Sequence, residues 1–122
     1  MLHCFVIDDS DIVRRYTRLI FESLNFRVGE ADGPIAAMER LRSESPDFIL
    51  VDWRMPGANS IELIGKIRML PLAKRPHIIY VVTETDPHDI QRAIAHGADS
   101  FVLKPFNREI IEMKLHEIRV AA

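Results

Sequence analysis

Leu2-His3-Cys4-Phe5-Val6-Ile7-Asp8-Asp9 is the stretch that decides the fold, because a largely apolar run ends in two adjacent carboxylates. A second run, Phe48-Ile49-Leu50-Val51, ends in the same way at Asp52. Short apolar runs of this kind predict buried strands, which are typical of parallel sheets in α/β proteins. If the two strands are parallel neighbours, their carboxyl ends meet. The three carboxylates then share one crevice, where open α/β sheets bind ligands.

Three carboxylates in one crevice repel one another. Two unit charges about 4 Å apart cost roughly 4 kcal/mol at an effective dielectric constant near 20. That cost is large beside a total stability of about 5–15 kcal/mol. Either one carboxylate is protonated, or a cation lies among them. A cation bound among the carboxylates would indicate a chemical function.

The bulk composition predicts one globular domain covering residues 1–122, with no output domain. Hydrophobic residues make up 48% of the chain and charged residues 28%, which is ordinary for a soluble protein. The net charge of −2 argues against direct nucleic-acid binding. No apolar run approaches the ~20 residues of a membrane span, and no leader precedes the first strand. We therefore expect no membrane association and a cytoplasmic location. Cys4 has no partner for an internal disulfide and is expected to be a buried hydrophobe.

The rest of the chain alternates strand-like runs with segments of helical period. The second, fourth and fifth strands are predicted at Phe26–Val28, near a sheet edge, and at Ile78–Val82 and Ser100–Leu103. The first helix is predicted over Asp11–Ser23. The second begins at Pro34 and has Ile35, Met38 and Leu41 on its apolar face. The last three begin after the caps Asn59, Asp86 and Asn107, and Gly97 ends the fourth. Five strand–helix units predict an α/β fold: a five-stranded parallel sheet with helices on both faces.

Two further polar residues follow predicted strands. Thr83 comes directly after the fourth run and Lys104 after the fifth. Carboxylates suit Mg²⁺, a carboxylate can attack phosphorus as a nucleophile, and an ammonium and a hydroxyl can stabilise the transferred oxygens. The set therefore predicts phosphoryl transfer onto a carboxylate.

The sequence resembles the receiver domain of bacterial response regulators, in the stand-alone form found in chemotaxis, over essentially its whole length. The resemblance rests on Phe5-Val6-Ile7-Asp8-Asp9-Ser10, on Leu50-Val51-Asp52-Trp53-Arg54-Met55-Pro56-Gly57, and on Thr83 and Lys104-Pro105-Phe106, in the family's order and spacing. It implies the doubly wound (βα)5, flavodoxin-like arrangement of the CheY-like fold.

The resemblance also implies roles for individual residues. Asp52 is similar to the phospho-acceptor. Asp8, Asp9, Asp52 and the Arg54 backbone carbonyl match the positions that hold Mg²⁺. Lys104 matches the lysine that pairs with the phosphoryl group, and Lys104-Pro105 a peptide bond that is usually cis. Thr83 resembles the switch hydroxyl and Phe101 the rotating aromatic, although the family often has tyrosine at this position.

Some residues have open interpretations. Glu84 follows Thr83 where the family commonly has a small residue, and it either crowds the phosphoryl entrance or points to solvent. Arg54 and Thr85 are expected to tune the phosphoryl lifetime, in a direction the sequence does not fix. The first helix carries Arg14, Arg15 and Arg18, which either dock an acidic phosphoryl donor or form a solvated face.

The predicted function is that of a phosphorylation switch. A histidine kinase or a histidine phosphotransfer protein donates a phosphoryl group to Asp52, and the surface of the fourth helix, fifth strand and fifth helix changes. Output is expected through a downstream protein, a homodimer formed by that surface, or a phosphorelay. The chain is not expected to be an enzyme beyond catalysing its own phosphorylation and dephosphorylation. Two alternatives remain: an adaptor that ignores phosphorylation, and a phosphatase of the haloacid dehalogenase type. The adjacent acids of Asp8-Asp9-Ser10-Asp11 argue against the phosphatase.

Overall fold

The computed structural model describes residues 1–121, with the side chains of residues 1–119. Five parallel strands form one sheet in the order β2-β1-β3-β4-β5. The strands are β1 Leu2–Ile7, β2 Phe26–Ala31, β3 Phe48–Asp52, β4 His77–Val82 and β5 Ser100–Leu103. The predicted α/β class is confirmed, and β2 lies at a sheet edge as expected, although it extends three residues beyond Val28.

Five helices connect the strands: α1 Asp11–Ser23, α2 Pro34–Leu41, α3 Ser60–Arg68, α4 Pro87–His96 and α5 Arg108–Ala121. The predicted caps are present, since Asn59, Asp86 and Asn107 each accept hydrogen bonds from first-turn N–H groups. Asn59 and Glu62 have the spacing of a capping box, in which each side chain bonds to the other residue's backbone N–H. The Asn59 side chain makes its bond to the Glu62 N–H, whereas the Glu62 carboxylate pairs with Lys66 instead. Gly97 closes α4 with a φ of +130°, and Lys104-Pro105 is cis.

The sheet separates two apolar layers. One contains Phe5, Ile7, Ile49, Val51, Ile78 and Tyr80 and packs against α2, α3 and α4; the other contains Cys4, Val6, Leu50, Ile79 and Val81 and packs against α1 and α5. Because successive strand residues alternate between faces, each strand contributes to both layers. This is why the strands have continuous apolar runs. No helix within residues 1–121 is both long enough and apolar enough to cross a membrane.

Several helices present apolar residues to solvent, α1 and α2 among them. Of the predicted apolar stripe of α2, Leu41 is buried and Met38 packs against the core, whereas Ile35 is 86% exposed; Ala37 makes a further contact with the core. On α1, Ile20 is buried, whereas Ile12 and Leu19 are 82% and 60% exposed. Helical spacing identifies residues that share a face, but it does not show that another layer covers that face.

Candidate functional site

The strand order brings the carboxylates together. β1 and β3 are parallel neighbours in which Ile7 pairs with Val51, so Asp8 and Asp52 leave the sheet side by side. The backbone holds both positions, since Asp8 N–H bonds to the Ala31 carbonyl at 3.2 Å. The buried Ser60 hydroxyl donates to the Asp52 carbonyl at 2.6 Å. The acids therefore lie at a fixed edge of the sheet.

The predicted cluster of three carboxylates is present. One oxygen each from Asp8, Asp9 and Asp52 lie within 4.8 Å of one another. Asp8 and Asp52 are buried and Asp9 is exposed, so the cluster opens to solvent on one side. Asp8 is oriented by the Ser10 N–H, which donates to Oδ1 at 2.9 Å. Such a group of carboxylate oxygens has the composition of a hard-cation site.

Lys104 lies inside the cluster. Its Nζ is 2.7 Å from Asp52 Oδ1 and 3.3 Å from Asp8 Oδ2, and its side chain is only 19% exposed. Burial lowers the pKa of this ammonium, but the neighbouring carboxylates outweigh that effect and the pKa lies above its ordinary value. Lys104 is therefore a fixed positive charge against the two buried acids.

The Asp52 carboxylate is the least compensated group of the site. Burial raises its pKa and the Asp8 charge adds to the increase, against the opposing effect of Lys104. Oδ1 is buried and, among the described residues, has no hydrogen bond of good geometry, although the ammonium is close. Three carboxylates face a single ammonium here. A divalent cation would balance the remaining charge, so the residues fit a metal.

The two predicted switch residues lie directly after β4 and within β5. Thr83 follows β4 in an exposed segment, and within residues 1–121 its hydroxyl has no hydrogen bond. Phe101 lies on β5, paired in register with Tyr80 and half-buried against the core layer of α2, α3 and α4. The Lys114 ammonium lies 5.7 Å from the Phe101 ring centroid. Thr83 thus lines one groove with Lys104, Phe101 lies on β5 three residues before Lys104, and the switch roles of both remain predictions.

Arg54 and Glu84, whose interpretation the sequence left open, each lie two residues beyond the end of a strand, β3 and β4 respectively. Arg54 is exposed, and its guanidinium stacks on the Trp53 indole with the carbon 4.5 Å from the ring centroid. Glu84 is also exposed and, among the described residues, forms no ion pair. Of the two interpretations of Glu84, this exposure favours a side chain directed to solvent.

The arginines of α1 are partly occupied by internal contacts. Arg14 and Arg18 both bond to Glu30 on β2, at 3.0 and 2.6 Å, and Arg14 also donates to the Asp8 carbonyl at 2.7 Å. Burial raises the pKa of Glu30, but the pairs with Arg18 and Arg14 outweigh it and hold that pKa below its usual range. Arg15 is exposed. Two of the three arginines thus connect α1 to β2 through Glu30, and the sequence did not indicate this pairing.

Two positioning contacts had no signal in our sequence analysis. One is the Ser60 hydroxyl on the Asp52 carbonyl. The other joins the Tyr80 hydroxyl to the Asp89 carboxylate at 2.8 Å. Ser60 and Asp89 lie in the first turns of helices, where polar residues are common as helix-start signals, so their tertiary partners were hidden.

The fold and the site together define a doubly wound α/β protein with three acids and a lysine gathered where its parallel strands end. Residues 4–116 match the family model for the response regulator receiver domain, and the chain belongs to this family. It is therefore a response regulator receiver of two-component signalling.

The known proteins most useful for comparison are chemotaxis regulators. The chain is 30% identical to the chemotaxis protein CheY of Pseudomonas aeruginosa over 114 residues, covering 93% of this chain and 92% of that protein. It is 29% identical to CheY-3 of Vibrio cholerae, covering 93% and 88%. The structure of CheY4 from Vibrio cholerae superposes with a TM-score of 0.90 at 27% identity, covering 96% and 98% of the two chains.

Proposed function

We propose that the chain is a single-domain phosphorylation switch, in which Asp52 accepts a phosphoryl group from a phosphohistidine on a kinase or phosphotransfer protein. A carboxylate oxygen of Asp52 attacks phosphorus, the phosphorus–nitrogen bond breaks, and the donor imidazole leaves. Water later hydrolyses the acyl phosphate and restores the carboxylate. The chain catalyses both steps on itself and turns over no external substrate.

The state of Asp52 carries this proposal. Its carboxylate is buried and under-bonded, and it lies 2.7 Å from an ammonium. A nucleophile needs a free lone pair, which Oδ1 or its partner oxygen retains. The Lys104 charge would neutralise the oxygens that develop negative charge as the phosphoryl group arrives. A purely structural aspartate would be satisfied by hydrogen bonds instead.

The acids support a magnesium site. Asp8, Asp9 and Asp52 would hold Mg²⁺, with the Arg54 backbone carbonyl as a further ligand by resemblance to the family. When bound, Mg²⁺ supplies charge neutralisation between the acceptor and the incoming phosphoryl oxygens. The chain's own contribution is to orient Asp8 through the Ser10 N–H and to hold the Lys104 ammonium beside Asp8 and Asp52.

The switch would work by population shift. A phosphoryl group on Asp52 adds about one to two negative charges and strong acceptor oxygens. The free Thr83 hydroxyl can donate to those oxygens, and the β4–α4 segment would move with it. Phe101, which is only half-buried, can follow inward. These contacts exist in one conformation only, which is the condition for a ligand to shift an equilibrium.

Two exposed apolar areas fit the two kinds of partner. On α1, Ile12 and Tyr16 border an apolar groove of about 380 Å³ that reaches Thr83 and Lys104, and it suits a helix of the phosphoryl donor. The second area, formed by α4, β5 and α5, exposes Ile94, Leu103, Ile110 and Met113 and suits the downstream target or a second copy of the chain.

The test is intact-mass spectrometry after incubation with acetyl phosphate and Mg²⁺. We expect a mass gain of one phosphoryl group in the wild type and none in Asp52→Asn or without Mg²⁺. Asp32→Asn is the matched control, because Asp32 also follows a strand at this edge but is exposed, and this variant should be labelled normally.

A wild-type protein that is not labelled would contradict the proposal. If the wild type gains no phosphoryl group from acetyl phosphate or from a phosphorylated donor protein, Asp52 is not an acceptor. Equal affinity of wild type and Asp52→Asn for a captured partner would then favour an adaptor that ignores phosphorylation.

A further inference from the structure

Helix α4 is the most weakly anchored helix beside the proposed switch. Of its ten residues only Ile90 and Ala93 are buried, whereas α3 buries five of nine. α4 rests mainly on α3 rather than on the strands. A helix with so little buried apolar surface has little to resist a displacement.

One hydrogen bond ties α4 to the sheet. The Tyr80 hydroxyl of β4 donates to Asp89 Oδ2, in the first turn of α4, at 2.8 Å. Within residues 1–121 it is the only side-chain hydrogen bond between α4 and a strand. Tyr80 is 2% exposed and packed between strand neighbours Val51 and Phe101, so its ring cannot follow a moving helix.

The bond lies between the acceptor site and the proposed output surface. Tyr80 precedes Thr83 by three residues on β4, and it is the register partner of Phe101 on β5. Asp89 lies in the first turn of the helix that exposes Ile94 to solvent. Any displacement of the β4–α4 segment therefore changes the Tyr80–Asp89 distance.

We propose that Tyr80 is a positioning residue that latches α4 in the unphosphorylated conformation through Asp89, and so sets how readily phosphorylation moves this helix. This inference rests on the proposed switch at Asp52 and deepens it. The latch requires a hydroxyl on β4 and a carboxylate in the first turn of α4, which Tyr80 and Asp89 supply.

The Tyr80–Asp89 hydrogen bond is expected to shift the populations of the α4 conformations by a measurable factor. A hydrogen bond to a charged group favours the conformation that makes it by about tenfold or more in population. When the bond breaks, Asp89 can be hydrated, because a cavity of about 260 Å³, lined also by Trp53, Asn59 and Arg92, lies beside it. Loss of the bond should therefore loosen α4 without unfolding the domain.

The experiment compares variants by amide hydrogen exchange and by acetyl phosphate labelling. Tyr80→Phe and Asp89→Ala should each speed exchange of the α4 amides about tenfold and raise the fraction phosphorylated at limiting acetyl phosphate by a similar factor. Asp89→Asn keeps an acceptor oxygen but loses its charge, so it should fall between the wild type and Asp89→Ala in both readouts. Ser100→Ala removes a different bond of β4, His77 Nε2 to Ser100 Oγ at 2.9 Å, and should change neither readout.

The double variant Tyr80→Phe/Asp89→Ala separates the latch from other effects. Asp89 also lies at a helix N-terminus, so Asp89→Ala carries an additional cost from the helix dipole. If the latch is real, adding Tyr80→Phe to Asp89→Ala changes neither readout further.

The outcomes distinguish the two proposals. Faster α4 exchange with unchanged phosphorylation would make the bond structural and overturn the latch. Unchanged α4 exchange in Tyr80→Phe would overturn it as well. Failure of the wild type itself to accept a phosphoryl group would overturn the proposed function, and the exchange measurement would still report on α4.

Discussion

Replacing Lys104 by methionine tests whether the acceptor site is an electrostatic cluster. The substitution keeps most of the side-chain volume and removes only the charge. Nζ lies 2.7 Å from Asp52 Oδ1 and 3.3 Å from Asp8 Oδ2. At an effective dielectric constant of about 20 these distances correspond to gross attractions of about 6 and 5 kcal/mol. Desolvation of the ammonium offsets several kcal/mol of that sum.

The net change in the free energy of unfolding depends on the carboxylates that remain when Lys104 is replaced. Breaking a buried pair by removing one partner costs about 3–5 kcal/mol, because the remaining charge is uncompensated. Since the Lys104 side chain is 19% exposed, we expect the lower end of that range. A loss of about 3 kcal/mol would lower the melting temperature of a domain of this size by roughly 10 °C. The Lys104 pKa is raised, so its stabilising charge is fully present below the ordinary lysine value and the loss should not vary between about pH 6 and 9.

The assay is urea and thermal unfolding followed by circular dichroism, without divalent cations. Lys66→Met is the control, because Lys66 forms an exposed pair with Glu62 and should change stability by less than about 0.5 kcal/mol. Burial also weakens salt screening, so the Lys104→Met loss should persist in high salt. Stability of Lys104→Met within the error of the wild type would refute the idea that this lysine offsets carboxylate repulsion.

Three further outcomes are expected. Millimolar Mg²⁺ should raise the melting temperature of the wild type and raise it less in Asp9→Asn; equal shifts would exclude the proposed metal site. Burial raises the pKa of Asp99, but Arg75, the Ile78 N–H and Arg68 hold it below its usual range, so its stabilisation is lost as pH falls through the folded-state pKa. Asp99→Asn should therefore cost about 2 kcal/mol at pH 7, with the gap closing below about pH 4 in pH-dependent unfolding curves. Gly97→Ala should cost more than about 1 kcal/mol in urea unfolding, because φ is +130° and a Cβ would lie 2.6 Å from Arg68 Cγ; a neutral effect would contradict this reasoning.

The fold class and the caps could be predicted because their causes are local in the chain. Apolar runs at β1, β3 and β4 indicate strands buried on both faces, and the structure buries them on both faces. Asp86 and Gly97 bound α4 through hydrogen bonds and dihedral angles that involve only near neighbours. Such interactions can be inferred from sequence without a tertiary model.

The membership of the candidate site could also be predicted, but its energetics could not. Asp8, Asp52 and Lys104 each follow an apolar run, so the sequence places them at one edge of any parallel sheet. The proximity of Lys104 to both acids depends on the strand order β2-β1-β3-β4-β5. The raised pKa of Asp52 depends on burial by surrounding elements.

The sequence by itself determined the five strand–helix units, their caps and the polar residues at the strand ends, because each is set by periodicity or by contacts within a few residues. Tertiary structure alone decided which charges pair and which apolar faces stay exposed. Arg14 forms an ion pair with Glu30, Ile35 is exposed to solvent, and the Tyr80 hydroxyl donates a hydrogen bond to Asp89. Each of these outcomes depends on which element lies opposite a side chain in space, and that neighbour is distant in the chain.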